Sequence, residues 1–178
     1  ELLDELGQRG TQAAIVVTAA DAQGQADAQT WRAAARAHGL RLLGPGSFGV
    51  IAPRHGLNAS LSSILPRPGH LALIASSGMA LTPLLEWAAA QNTGFSSVIA
   101  LGDGSDMNFG DMLDELAHDP DTRAILLVLE TLTHARSFLS AARAAARIKP
   151  VLAVRRFVPA VVALAALVNG LAGRRLSS

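Results

Sequence analysis

The 178-residue sequence contains no cysteine, which excludes a disulfide framework, a thiolate nucleophile and a cysteine-ligated zinc site, and suits a cytoplasmic protein. Aromatic residues make up only 4% and the formal net charge is +1. With no block of arginines interleaved with aromatics, a nucleic-acid surface has no support. No apolar run reaches the roughly 20 residues of a membrane-spanning helix; the longest candidate, residues 157–168, falls well short. No charged leader with an apolar core opens the chain, so no signal peptide is visible. It begins at Glu1 without a methionine, and is read as a piece of something longer. What is present is apolar content: 50% hydrophobic residues, enough to bury a core in one domain or two small ones.

The periodicity predicts an α/β protein. Residues 1–8 read as a helix ended by Gly10, residues 13–17 as a buried strand, residues 28–38 as a helix closed by Gly39, and residues 40–43 as a short strand. Gly44-Pro45-Gly46-Ser47-Phe48-Gly49 is too glycine-rich to continue either element. Pro53, Gly56, Pro66 and Pro68 break the pattern over residues 53–69, which reads as a linker. Beyond it, strands at about 71–75, 96–101, 124–130 and 150–154 alternate with helices at about 79–91, 108–118 and 134–147, the order of a layered parallel sheet with right-handed crossovers. The last helix is expected to turn Phe138, Leu139, Ala142 and Ala146 to the sheet and Arg136, Arg143 and Arg147 outward.

Several segments carry candidate chemistry. Ser76-Ser77-Gly78 lies between a strand and a helix, where free amides and the positive end of the helix dipole attract phosphate or carboxylate; Ser77 can cap and Gly78 permits close approach. An ordinary capped helix explains the same residues. Glu130, at a strand end, reads equally as a solvated carboxylate. Asp103, Asp106 and Asp111 could hold a divalent cation, but the spacing fits no calcium loop, and Asn108 and Asp111 suit a helix cap, so no metal site is assigned. Asp119-Pro120-Asp121-Thr122 reads as a post-helix turn. His38 and His118 occupy last helical turns, His55 the linker, and His70 and His134 the starts of a strand and a helix. A Ser-His-Asp hydrolase is disfavoured because Ile74 and Ala75, rather than Gly-x, precede the serines.

Taken together, Gly44-Pro45-Gly46-Ser47-Phe48-Gly49, Gly56-Leu57-Asn58-Ala59-Ser60, Leu73-Ile74-Ala75-Ser76-Ser77-Gly78, Leu101-Gly102-Asp103-Gly104, Asp119-Pro120-Asp121-Thr122 and Lys149-Pro150 resemble the NDP-forming acyl-CoA synthetases, relatives of the succinyl-CoA synthetase alpha subunit. The likeness covers about residues 1–155, and the Gly56 segment is most similar to the branch fused to GNAT protein lysine acetyltransferases. It implies the C-terminal part of a Rossmann-like CoA-binding domain over residues 1–52, the linker, an incomplete flavodoxin-like CoA-ligase domain over residues 70–155, and a divergent tail over residues 156–178. By the same resemblance Gly44, Pro45, Ser47 and Gly49 lie near CoA or acyl-CoA. Ser76, Ser77 and Gly78 hold the phosphate of a phosphohistidine, with alanine at position 75 where the family has its first serine, and Glu130 orients that histidine.

The family histidine is expected in a loop after Lys149-Pro150 and the following strand, where this chain instead runs Arg155-Arg156-Phe157-Val158-Pro159. Of three readings for that tail, a membrane span, a core helix and a premature or frame-shifted end, the last is preferred. The resemblance implies ATP or ADP, Mg and an ATP-grasp domain or subunit only in the complete protein, and expects this chain alone to be inactive. The alternative is an acyl-CoA-sensing module of a GNAT acetyltransferase without ligase chemistry.

Overall fold

The computed structural model describes residues 2–18, 22–130, 132 and 134–155; the expectations for the tail fall outside these. A first lobe comprises helix α1 (Leu2–Gln8), strand β1 (Ala13–Ile15), helix α2 (Ala22–Ala37) and strand β2 (Arg41–Leu43). The strands pair in parallel, as a right-handed β-α-β unit requires. Gly10, at φ 79°, ends α1 as expected: its amide donates to Gly7 O and the Thr11 amide to Leu6 O. One correction concerns β1, expected to be buried. Ala14 and Val16 pack with Leu3, Leu6 and Trp31 around buried Ala35, Leu40 and Leu42, whereas Ile15 is 36% and Val17 38% exposed. A two-stranded sheet covered by helices on one side leaves alternate side chains on the other.

The second lobe is a six-stranded sheet. Strands β3 (Gly49–Ala52), β4 (Leu57–Ser60), β5 (Pro68–Ala75), β6 (Phe95–Ala100), β7 (Ala124–Leu129) and β8 (Val151–Arg155) lie in the order β4-β3-β6-β5-β7-β8. The four strands β6-β5-β7-β8 are parallel, joined through helices α3 (Leu81–Ala90), α4 (Phe109–His118) and α5 (Ala135–Ile148). This is the doubly wound flavodoxin order, as the periodicity predicted. β5 sits at its centre, and Ala72, Leu73, Ile74 and Ala75 are wholly buried. On one face they pack against α3 through Leu81, Leu84, Leu85 and Ala88, on the other against α4 and α5 through Phe109, Leu113, Phe138 and Ala141. Strands covered on both sides read as continuous apolar runs for this reason.

Two expectations change. The stretch read as a linker contains a single 3-10 turn (Pro53–His55), β4 and the start of β5, and Gly49 begins β3 rather than ending a loop. β3 and β4 form a hairpin that extends the sheet antiparallel to β6. Pro53 and Gly56 begin and end the hairpin's connecting turn, Gly56 at φ 63°, whereas Pro66 and Pro68 follow the hairpin, Pro68 as the first residue of β5. The face of α5 is also rotated from the expected one. Phe138, Ala141 and Ala145 are buried, Leu139 is 49% exposed and Ala146 faces solvent, while Arg136, Arg143 and Arg147 point outward as expected.

The Asp119-Pro120-Asp121-Thr122 and Lys149-Pro150 motifs meet at the N-terminal edge of the parallel strands. Asp119 Oδ2 accepts a 2.6 Å hydrogen bond from buried Thr122 Oγ1 and Oδ1 accepts from the Asp121 amide at 3.0 Å. Lys149 Nζ donates to Leu116 O at 2.8 Å and to Asp119 O, capping the end of α4 where a cation suits the helix dipole. Partial burial by itself raises the Asp119 pKa, but the Thr122 and Asp121 hydrogen bonds, with Lys149 and Arg54 nearby, hold it below the ordinary carboxylate value. A depressed native pKa stabilises the fold above the unfolded value of about 3.9 and is lost as pH falls through the native one. Asp119→Ala is expected to cost about 1–2 kcal/mol at neutral pH by removing the carboxylate that accepts from Thr122 Oγ1 and the Asp121 amide. In denaturant titrations, the gap to the parent should narrow below about pH 4.

Candidate strand-end site

The doubly wound order has one switch point, between β5 and β7. The connection after β5 leaves toward α3 on one face and that after β7 toward α5 on the other, which opens a crevice at the carboxyl ends of these neighbours. Ser76, Ser77 and Gly78 follow β5, and Glu130 follows β7. The two loops are bonded to each other: the Ser76 amide donates to Val128 O at 3.1 Å, the Glu130 amide to Ser76 Oγ at 3.1 Å, and Ser77 Oγ to Glu130 Oε1 at 2.7 Å. The structure therefore brings Ser76, Ser77, Gly78 and Glu130 together. Glu130 is half-buried with its carboxylate engaged, not a solvated strand end.

Ser77 does not cap the helix, contrary to expectation. It occupies the N-cap position of the 3-10 turn (Gly78–Ala80) leading into α3, yet makes no side-chain cap hydrogen bond; its hydroxyl is turned toward Glu130 instead. The Gly78 and Met79 amides, at the first positions of that turn, have no intrahelical acceptor. Gly78 has a packing reason of its own, since a Cβ there would collide with the Phe48 ring. Ala75 is fully buried in the α3-side core, so the hydroxyls that reach the crevice are those of Ser76 and Ser77.

The loop that follows β2 joins from the first lobe. Within it, Gly44-Pro45 is a cis peptide and Gly44 and Gly46 have φ of 101° and 72°. Ser47 is buried and donates to Ala100 O at 2.5 Å, while its Oγ accepts from the Gly49 amide at 2.9 Å. Pro45 O accepts from the Asp103 amide at 2.9 Å, and the Gly46 amide donates to Thr18 Oγ1 at 3.2 Å. Gly102, at φ 72°, lies so near Pro45 O that a Cβ would overlap it. Gly44, Pro45, Ser47 and Gly49 are thus seated against the β6 end, and Phe48 bridges them to Gly78. Ser47 and Gly49 fix the loop's shape with their own hydrogen bonds.

The acidic loop takes turn and capping roles. Asn108 and Asp111 form a reciprocal capping box on α4. Asp103 Oδ1 accepts from the Ser105 amide and hydroxyl. Asp106 Oδ2 accepts from the Leu42 amide at 2.6 Å and faces Arg41, which also reaches Asp111 at 3.3 Å. These bonds tie β2 of the first lobe to the β6–α4 loop, so the second lobe holds the 44–49 loop in register.

Sequence reasoning missed the residues that line the small cavity beside Ser76. About 10 Å³ is enclosed by Ser76, Leu101, Gly102, Asp103, Gly104, Asn108, Phe109, Leu132, His134 and Phe138, space for about one water. Leu132 and His134 belong to the loop after β7, and that position at a strand's carboxyl end was the available signal. Sequence periodicity places His134 only at a helix start, and it is the N-cap of α5.

Substituting Ser76 by alanine removes the acceptor for the Glu130 amide in a site only 6% exposed. A loss of about 1–2 kcal/mol is expected, and amide exchange at Glu130 should accelerate while that of Leu127, in mid-strand, keeps pace only with the change in global stability.

Comparison with known proteins places this geometry. The profile of a family described as "Succinyl-CoA ligase like flavodoxin domain" matches residues 68–168, a span that runs past Arg155 into the tail. The ADP-forming acetate–CoA ligase I subunit alpha of Pyrococcus furiosus is 31% identical over 159 residues, covering 87% of this chain and 34% of that protein. ADP-forming acetate–CoA ligase I of Archaeoglobus fulgidus is 31% identical over 157 residues, covering 86% of this chain and 23% of its own length. A solved structure, the dinucleotide-forming acetyl-coenzyme A synthetase 1 of Ca. Korarchaeum cryptofilum in complex with phosphate and ADP, superposes with a TM-score of 0.81 at 26% identity, covering 95% of this chain and 38% of that one. The chain therefore spans between about a quarter and two fifths of the length of these relatives.

Proposed function

Since the chain belongs to the succinyl-CoA ligase-like flavodoxin family, we propose that it is the phosphoryl- and CoA-handling part of an ADP-forming acyl-CoA synthetase. The observation that carries this reading is the 2.7 Å bond between Ser77 Oγ and Glu130 Oε1 across the β5–β7 switch point, beside the start of the Gly78–Ala80 turn, which receives no side-chain cap from Ser77.

The residues fit such a ligand. A phosphoryl oxygen can accept from the Gly78 and Met79 amides, and from the Ser76 hydroxyl, whose oxygen already accepts from the Glu130 amide but whose proton remains available. Glu130 has a different task, because a carboxylate repels a bare phosphate but stabilises an imidazolium and fixes its tautomer. An acid opposite a helix start thus suits a histidine that carries the phosphoryl group between them. CoA supplies a thiol nucleophile when bound; in this reading the loop containing Gly44, Pro45, Ser47 and Gly49 lies along it, held by the Asp103–Pro45 and Ser47–Ala100 bonds. In the complete protein, ATP or ADP with Mg would be held by an ATP-grasp domain or subunit, and the relative from Pyrococcus furiosus is itself a subunit alpha. The link to an acetyltransferase rests on the Gly56-Leu57-Asn58-Ala59-Ser60 motif, which forms the 3-10 turn's end and β4 rather than the crevice.

Titration with inorganic phosphate, followed by amide NMR, tests the reading. Saturable shifts are expected at Ser76, Ser77, Gly78 and Met79. Glu130→Gln should tighten phosphate severalfold by removing a like charge, and Ser77→Ala should change it by less than about tenfold because the amides remain. No shift at these amides up to tens of millimolar phosphate contradicts the proposal.

A further inference from the structure

The net charge of +1 conceals a sorting of charge along the chain. All 14 acidic residues lie within positions 1–130, whereas 8 of the 15 lysines and arginines lie beyond them. On the sheet face that carries α4 and α5, the sorting becomes a surface pattern. α4 buries Phe109, Gly110, Leu113, Leu116 and Ala117, which turns Asp114 and Glu115 to solvent. α5 buries Phe138, Ala141 and Ala145, and at 100° per residue Arg136, Arg143 and Arg147 fall within about 40° of one another on the opposite side. All three are exposed, and among the described residues none has an ion pair. The exposed Leu139 lies beside them.

Both helices lead from the end of one parallel strand to the start of the next, so they run side by side in the same direction. At about 1.5 Å per residue, Glu115 lies roughly 9 Å along α4 and Arg143 roughly 12 Å along α5. An acidic and a basic ridge therefore stand next to each other at matching heights.

We propose that this helix pair is a self-docking surface. A second copy of the chain, related by a two-fold axis parallel to the helices, sets its α5 over α4 and its α4 over α5, so every Asp114 or Glu115 contact with Arg143 occurs twice, while Arg147, about 9 Å farther along than Glu115, adds to the basic field. Exposed ion pairs contribute little each, and a two-helix face is at the small end of interface sizes. The dimer is accordingly weak and salt-sensitive.

Sedimentation velocity on the full chain tests this at about 100 μM protein, in about 20 mM and about 500 mM salt, a range that spans strong and weak screening. The parent chain should dimerise in low salt and dissociate in high salt. The pair of reversals Asp114→Arg with Glu115→Arg, and the pair Arg143→Glu with Arg147→Glu, should each yield a folded monomer by circular dichroism. An equal mixture of the two variants should dimerise again, because each then offers the sign the other needs. A parent that stays monomeric in low salt overturns the proposal. So does a dimer indifferent to salt and reversal, as an apolar contact elsewhere on the chain would produce, and so does a mixture that remains monomeric while both variants are folded.

Discussion

The adjacency of β5 and β7 is the constraint on which the rest depends. Leu71–Ala75 register opposite Ala124–Val128 in parallel, so the two chain segments emerge from the sheet at the same level. The register is continued past the strands by the Ser76 amide bonding Val128 O and the Glu130 amide bonding Ser76 Oγ. A slip of one residue would exchange the faces of β5, burying polar groups and pulling the serines away from Glu130. The apolar run from Ala72 to Ala75, closed on both faces by helices, prevents that slip. Core packing and site geometry are the same requirement seen at two places along one strand.

Chemistry at the crevice follows from which groups the fold leaves unsatisfied. A hydroxyl that caps its own helix would quench the amides behind it. Ser77 instead turns toward Glu130, which leaves the Gly78–Ala80 turn without a side-chain cap and holds a carboxylate against the residue that begins it. A positive dipole end and a negative side chain thus lie side by side, the combination on which the proposed phosphohistidine role rests. The loop after β2 enters the same region because Asp106 and Arg41 fasten β2 to the β6–α4 connection.

Much of this was legible in the residues. The apolar runs, the capping signal at Asn108 and Asp111 and the alternation of elements specify the parallel sheet, and Ser76-Ser77-Gly78 and Glu130 stood out by their places at strand ends. Less legible were features that depend on partners distant in sequence. Pro53, Gly56, Pro66 and Pro68 look alike in a linker and around a hairpin, and only the pairing of β3 with β4 and β6 decides. Leu139 has the apolarity of a core residue, but the sheet beneath α5 is filled by Phe138, Ala141 and Ala145. Ser77 had a suitable N-cap position, and only proximity to Glu130 redirected its hydroxyl. His134 and Leu132 gained significance only when their loop was seen to close a cavity against Ser76.

The central claim is that Ser77 and Glu130 are coupled across the switch point, and a double-mutant cycle measures that coupling directly. Ser77→Ala, Glu130→Ala and the double variant, compared by denaturant unfolding at neutral pH, should give an interaction of about 1 kcal/mol or more, as a charge-assisted hydrogen bond in a half-buried setting implies. Strictly additive losses, with no interaction between the two sites, would contradict the account.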